Sequence, residues 1–236
     1  MRDRVYRSNT TQIVDFAFTE EVAAVFPDMI RRSVPGYETV IPLTGLIAAR
    51  HLGEDGIAFD LGCSLGATTL AILGQNASPQ IRVTGIDNSA PMIDGARQTV
   101  TDERAAFVLE DIRDSDVSGA SVVVLNLVLQ FIDPAERLQI LQRLRQQMRG
   151  DGMLIVSEKV RHDDLDLHNF FDQTHLAWKQ ANGYSDLEIS AKRTALENVM
   201  QIDTEQDHEA RFQAAGFTKV YQWYRCMNWA SFLVQP

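Results

Sequence analysis

The chain has 236 residues, 45% of them apolar and 23% charged, with a net charge of −10 and two cysteines, Cys63 and Cys226. That length suits one α/β domain with room for additions, two cysteines make no disulfide framework, and no apolar run approaches the ~20 residues of a membrane helix. Phosphate backbones are bound by clustered Lys and Arg, whereas the basic residues here are scattered and the densest group, "RLRQQMR", reads as the polar face of one helix, so a small-molecule substrate is expected rather than direct nucleic-acid binding.

The opening segment "MRDRVYRSNTTQIVDF" lacks the apolar core and small-residue cleavage site of a signal peptide, and a reducing cytoplasm is the expected compartment. Residues 1–50 read as mainly helical. "GIAFDLG" (56–62) reads as a buried strand and "ATTLAILGQ" (67–75) as the helix after it. "IRVTGIDNS" (81–89) is a second strand, and "APMIDGARQTVT" its helix, with Pro91 in the first turn where proline is tolerated. "AAFVLEDIRD" (105–114) is a third strand and turn. "ASVVVLNLVLQFI" (120–132) is a fourth strand, β-branched enough to outweigh a helix. "DPAERLQILQRLRQQMRGDG" is a helix capped by Asp133, with Pro134 at its first position and Gly150 and Gly152 expected to stop it. "GMLIVSEK" (152–159) is a fifth strand, and 160–200 a helical insertion after it. The tail, from Asp207, reads as a helix and two strands with too little between them for a parallel crossover, hence a hairpin.

Strands alternating with helices argue a parallel sheet covered on both faces. Ligands of such sheets sit outside the carboxyl ends of the strands, at the switch point. The turn after strand one, "FDLGCSLGATTLAIL" (59–73), should therefore line the site. The dinucleotide fingerprint wants G-x-G-x-x-G, but Ser64 stands where its middle glycine would be. A P-loop wants Gly-Lys-Ser/Thr, and no lysine follows. What remains, acid-x-Gly-x-x-x-Gly with Asp60, Gly62 and Gly66, resembles the S-adenosylmethionine (SAM) turn of class I methyltransferases. Five parallel strands and a terminal antiparallel hairpin, a mostly parallel seven-stranded sheet, is the layout of that fold. Further positions fall at successive strand ends. Asp87 ends strand two, where an acid accepts from two ribose hydroxyls, although "IDNS" could equally be a helix cap. Asp111 and Ile112 follow strand three, where methyltransferases hold adenine. Asn126, inside an apolar strand, is an amide that needs partners and can hold the methionine part of SAM.

Beyond the turn, "AVFPDMIRRSVPGY" (24–37), "DLGCSLGA", "IDNSAPMI", "DIRD", "SEK", "ANGYSDLEIS" and "AKRTALENVM" (191–200) are similar to the carboxy-S-adenosyl-L-methionine synthase family. The segments outside the general SAM fold, "FPDMIRRSVPGY" and "NGYSDLEISAKRTALENVM", are the diagnostic ones. The resemblance implies a single SAM-binding domain over 1–236, with 1–50 and 160–200 covering the site. It implies a transferase that converts SAM and prephenate into carboxy-SAM and phenylpyruvate without a metal. Carboxy-SAM would then feed a tRNA uridine carboxymethyltransferase that builds the wobble 5-oxyacetic acid. The chemistry has a physical rationale: the sulfonium acidifies its methyl, prephenate loses carbon dioxide and hydroxide on becoming aromatic, the hydroxide takes the methyl proton, and the ylide traps carbon dioxide. The substrate supplies the base, so the protein needs to position groups, exclude water and neutralise carboxylates.

Carried over residue by residue, the family's SAM-binding positions are Tyr37, Gly62, Cys63, Ser64, Asp87, Asn88, Asp111, Ile112, Asn126 and Arg193. Arg193 and Tyr37 would also position a substrate or product carboxylate. A guanidinium's planar fork suits a carboxylate, although without the resemblance Arg193 reads as an exposed helix arginine and Tyr37 as a core aromatic. Lys192, one residue before, points to another helix face and reads as surface. Tyr184 is a weaker candidate, since "NGYS" is also an ordinary turn. His162, His168 and His175 lack the close pairs with carboxylates of a zinc site. Trp178, Trp223 and Trp229 read as core or interface. The resemblance favours a homodimer, with Arg193 open to serving its own site or a neighbour's. Rival readings are a methyltransferase acting on a small acid, separable by product mass, a non-catalytic SAM-binding protein, and last a nicotinamide oxidoreductase.

Overall fold

The computed structural model describes residues 1–3, 5, 17–197 and 199–236. Most of "MRDRVYRSNTTQIVDF", and Asn198 of the "AKRTALENVM" match, lie outside the described residues.

Strands β1 (Ile57–Leu61), β2 (Arg82–Asp87), β3 (Ala105–Leu109), β4 (Val122–Asn126) and β5 (Met153–Arg161) pair in parallel, in the order β3-β2-β1-β4-β5. Strands β7 (Lys219–Cys226) and β8 (Trp229–Gln235) form the terminal hairpin, with β8 antiparallel to β5 and β7 outermost. This is the class I methyltransferase order. An eighth strand, β6 (Asp203–Thr204), pairs with the end of β5 and was not foreseen.

Helices α3 (Ala67–Gln75), α4 (Ala90–Thr99), α5 (Pro134–Gln147) and α8 (Glu205–Ala214) connect the strands. Alternation along each strand sends neighbouring side chains to opposite faces. Val123 and Leu125 of β4 pack with Leu141 and Leu144 of α5. Val122 and Val124 pack with Ile72 and Leu73 of α3 and with Ala48 and Leu52 of α2 (Tyr37–Leu52). Helix α1 (Glu20–Ser33), capped by Thr19, seats Val22, Val25 and Met29 against Met92 of α4. Helices α6 (Leu165–Ala181) and α7 (Asp186–Glu197) follow β5.

Two boundaries differ from the sequence expectation for physical reasons. The fourth strand stops at Asn126 rather than 132, because Leu127 takes a left-handed φ of 62° and its N–H donates to the Ser157 carbonyl at 2.6 Å. A 3₁₀ turn (Leu129–Phe131) follows, with Leu129 fully buried, so the apolar run continues while the strand does not. Helix α5 begins as expected on Asp133 and Pro134 but ends at Gln147, ahead of Gly150. Beyond it the Arg149 N–H leaves for the Ala120 carbonyl, while the Gln147 carbonyl accepts from Gly119.

Candidate active site

The strand order reverses between β1 and β4, and a cavity of about 760 Å³ opens at the carboxyl ends of the strands there. All ten sequence-nominated residues line it: Tyr37, Gly62, Cys63, Ser64, Asp87, Asn88, Asp111, Ile112, Asn126 and Arg193.

The β1–α3 turn is built tightly against β2. The Gly62 and Cys63 N–H groups both donate to the Ile86 carbonyl, at 2.8 and 3.0 Å. Gly62 has φ 71°, and a Cβ there would lie 2.5 Å from Val128 Cγ2, so both conformation and space demand glycine. Ser64 carries a left-handed φ of 50° without being glycine. Asp87 holds it: Oδ2 accepts from the Ser64 N–H at 2.9 Å, while Oδ1 accepts from the Ser89 N–H at 2.9 Å. Burial pushes the Asp87 carboxyl up, and the two backbone N–H groups oppose that shift. The α4 cap is Ser89, so Asp87 keeps lone pairs for a ligand diol. Asp60 does not line the cavity. It is buried and accepts from Thr69 N and Oγ1 at 3.0 and 2.8 Å, which pins the start of α3, and burial pushes it up to about 6.

Asn126 Nδ2 donates to Thr68 Oγ1 at 3.0 Å, and Asn126 Oδ1 is a buried acceptor with no protein partner. An orphaned acceptor in a cavity wall is suited to an ammonium donor, as the methionine end of SAM would provide. Asp111 is not free for adenine alone. Arg113 reaches it with two nitrogens, at 3.0 and 2.8 Å, and this holds the carboxyl below the usual range, with Asn88 a further donor. Tyr37 opens α2 after Gly36, and burial pushes its phenol up to about 12, with Asp60 adding to the rise. Cys63 is buried and its thiol is raised well above its ordinary range, chiefly by burial, so the backbone of this turn matters more than a nucleophile.

Arg193 lines the cavity of its own chain from α7. Lys192 corrects the expectation of a surface residue. It is 6% exposed, lines the same cavity, and donates to Ser33 Oγ at 2.9 Å. Both Lys192 and its neighbour Arg193 line the cavity, and the bond to Ser33 at the end of α1 holds Lys192 there. Lys159 and Lys179 also line the wall and were missed. A signal existed: His168, Asp172, His175 and Lys179 recur at helical spacing, a polar stripe on α6, and the last three line the cavity. His175 Nε2 lies 2.7 Å from the Ser33 carbonyl, and burial, with nearby lysines, depresses its pKa to about 3. Trp229 lines the cavity too, whereas Tyr184 does not. The Tyr184 hydroxyl donates to Asp3 Oδ2 at 2.5 Å, tying the N-terminus to the α6–α7 turn. Among the described residues, no group of three or more His, Cys, Asp or Glu side chains gathers as a metal site would.

Comparisons with known proteins agree with this geometry. A methyltransferase-domain family model matches residues 59–154. An O-methyltransferase family protein from Burkholderia thailandensis superposes with a TM-score of 0.68 at 16% identity, over 91% of this chain and 59% of that one. Human N-acetylserotonin methyltransferase in complex with SAM gives 0.61 at 15% identity, over 92% of this chain and 55% of that one. These establish the fold. Among curated proteins, carboxy-S-adenosyl-L-methionine synthase from Pseudomonas fluorescens is 44% identical over 99% of this chain and 98% of its own length. The same-named protein of Aeromonas salmonicida is 43% identical, covering 98% and 96%. Likeness at that level runs through α1, α6 and α7, beyond the shared SAM fold, and the chain belongs to the carboxy-S-adenosyl-L-methionine synthase family.

Proposed function

We propose that the chain converts SAM and prephenate to carboxy-SAM, phenylpyruvate and water. The observation that carries the reading is a cationic wall. Arg193, Lys192, Lys179 and Lys159 share one cavity with a SAM turn, an arrangement that suits carboxylate substrates. The SAM site fits this chain: Asp87 has acceptor capacity for a ribose diol, and the orphaned Asn126 Oδ1 can take the methionine ammonium. SAM supplies an acidified methyl carbon. The protein aligns it with the departing carbon dioxide, and Arg193 and Tyr37 position carboxylates, with closely packed aromatic and aliphatic walls limiting water. Phe18, Phe131 and Leu176 contribute to those walls. The single domain over 1–236, with α1–α2 and α6–α7 as covers, belongs to the same reading.

Exposed apolar side chains on α6 and α7, Leu165, Phe170 and Leu187 among them, support a homodimer. No helix among the described residues is long and apolar enough to cross a membrane. We place the enzyme in the cytoplasm, supplying carboxy-SAM to a tRNA uridine carboxymethyltransferase without itself touching tRNA, in keeping with its net charge of −10. The test is mass spectrometry of SAM incubated with the protein and prephenate. Carboxy-SAM with equimolar phenylpyruvate is expected; S-adenosylhomocysteine with a methylated acid would replace this reading with a methyltransferase one.

A further inference from the structure

The far wall of the cavity holds two buried lysines, Lys179 and Lys192, that pair with no carboxylate among the described residues. They are 8% and 6% exposed. Lys192 Nζ reaches Ser33 Oγ at 2.9 Å and lies 5.6 Å from the Tyr184 ring centroid. Lys159 Nζ lies 3.7 Å from Asp172 Oδ1, and Asp172 also faces His168 at 3.9 Å. Among the described residues, Asp172 is thus the one carboxylate in an ion pair with the three wall lysines of β5, α6 and α7. Burying an ammonium without a counter-ion is expensive, and a fold retains such a group where a ligand anion completes it.

We propose that Lys179 and Lys192 form the subsite for the carboxylate that the second substrate keeps, the 2-oxo acid end of a dianion, leaving its other carboxylate for the SAM side of the cavity. This rests on the carboxy-SAM synthase reading. It adds a division of labour: Arg193 for the carboxylate that is transferred, the lysine pair for the one that stays. The pair would therefore govern affinity for the second substrate and for its 2-oxo acid product, and leave SAM affinity alone.

The titration of the pair supports the geometry. Burial lowers Lys192 to about 7, with Lys179 and Arg32 lowering it further and Asp3 opposing. Burial lowers Lys179 to about 8, with Lys159 and Arg193 adding and Asp172 opposing. Tyr184, facing Lys192, is itself held neutral by burial. An anion seated between the two ammonium groups favours their charged forms. Binding near pH 8 must then draw protons from solution.

The experiment uses the full chain and phenylpyruvate as the probe, by titration calorimetry at pH 8 in buffers of different ionisation enthalpy. Wild type should take up protons on binding. Lys179→Met and Lys192→Met keep the apolar stem and remove the charge. Each should weaken phenylpyruvate, and raise KM for prephenate, by about ten-fold or more, abolish part of the proton uptake, and leave SAM affinity unchanged. Lys192→Arg should recover much of the affinity. Unchanged SAM binding certifies that a variant is folded. If both variants bind phenylpyruvate as wild type does, with the same proton uptake, the subsite is refuted even where carboxy-SAM is still made. If wild type binds phenylpyruvate with proton uptake that the variants lose, yet makes no carboxy-SAM from prephenate, the subsite stands and the proposed reaction falls.

Discussion

Replacing Asp87 tests the SAM assignment at its most connected residue. Asp87→Ala removes the acceptor for two backbone N–H groups, Ser64 and Ser89, each at 2.9 Å. The site is open to a cavity, so water can reach both, and the low end of the range applies: about 1 kcal/mol for each N–H left to water. Stability should fall by roughly 2 kcal/mol. Binding carries a separate loss. If the carboxylate accepts from a ribose diol, removing charge-assisted hydrogen bonds costs ~1.5–3 kcal/mol, or about ten- to 150-fold in Kd. Asp87→Asn retains one acceptor oxygen and presents an amide N–H₂ to a neighbour that is itself a donor, so it should fall between alanine and wild type. SAM and carboxy-SAM share one ribose, so the loss must be equal for the two. Calorimetric titration with each ligand, alongside thermal unfolding, reads both effects. Wild-type affinity in a folded Asp87→Ala, or a loss that differs between the ligands, would refute the ribose role.

Arg193→Ala should show the opposite pattern, weakening carboxy-SAM by ~1.5–3 kcal/mol more than SAM, with Arg193→Lys rescuing little because a point charge lacks the fork; equal losses for the two ligands would remove Arg193 from the carboxylate. Gly62→Ala forces a side chain into φ 71° and against Val128 Cγ2 at 2.5 Å, so it should lower the melting temperature, with about 1–3 kcal/mol of overpacking and ~1–2 kcal/mol of backbone strain, and an unchanged Tm would contradict the turn geometry. Burial raises Glu158 to about 7 against three opposing backbone N–H groups. Its extra proton affinity in the folded state therefore contributes stability fully below pH 4.5, and that contribution is lost as pH rises through about 7. Glu158→Gln does not titrate, so urea midpoints should shift in its favour relative to wild type as pH is raised across that window; a constant difference would show that Glu158 does not titrate there.

The sheet was legible because its signals are local. An apolar run bounded by turn residues marks a buried parallel strand wherever it falls, and β1, β2 and β5 needed nothing more. β4 misled because its apolar run serves two structures in succession. The strand ends at Asn126, yet Leu129 continues into the core through a 3₁₀ turn that no periodicity announces. At the site, the residues read from the chain's own pattern were those at strand ends, whose position follows from topology, while Tyr37 and Arg193 on helices came with the family resemblance. Those missed depend on how α1, α6 and α7 fold over the cavity. Lys192 and Arg193 sit about 100° apart on a helix, yet both line the cavity. Lys179 was hidden by the expectation that lysines lie at the surface, although the polar stripe on α6 was readable.

The two sides of the switch point share one device, which explains why strained residues can sit where ligands bind. Among the described residues, Ser64, Leu127 and Met227 are the non-glycine positions with positive φ, and the first two line the cavity, just past β1 and β4. Each such conformation costs on the order of 1–3 kcal/mol and persists only when its surroundings enforce it. The enforcement comes from an acid on the neighbouring strand. Asp87, ending β2, takes the Ser64 N–H. Glu158, on β5, takes the N–H groups of Val128, Leu129 and Gln130, at 3.0, 2.8 and 3.1 Å, and so fixes the chain directly after Leu127. Such hydrogen bonds contribute ~0.5–1.5 kcal/mol each to a neutral acid and ~1.5–3 kcal/mol to an ionised one, so the single bond to Ser64 and the three to Glu158 offset strain of this size. The methyltransferase turn and the loop after β4 are thereby held in shape before any ligand arrives. Asn126, one residue ahead of the second strained position, inherits its orientation from that clamp, with Oδ1 left unpaired. Glu158 is not among the residues that line the cavity, so it bears on SAM binding through the backbone of Val128, Leu129 and Gln130 that it holds.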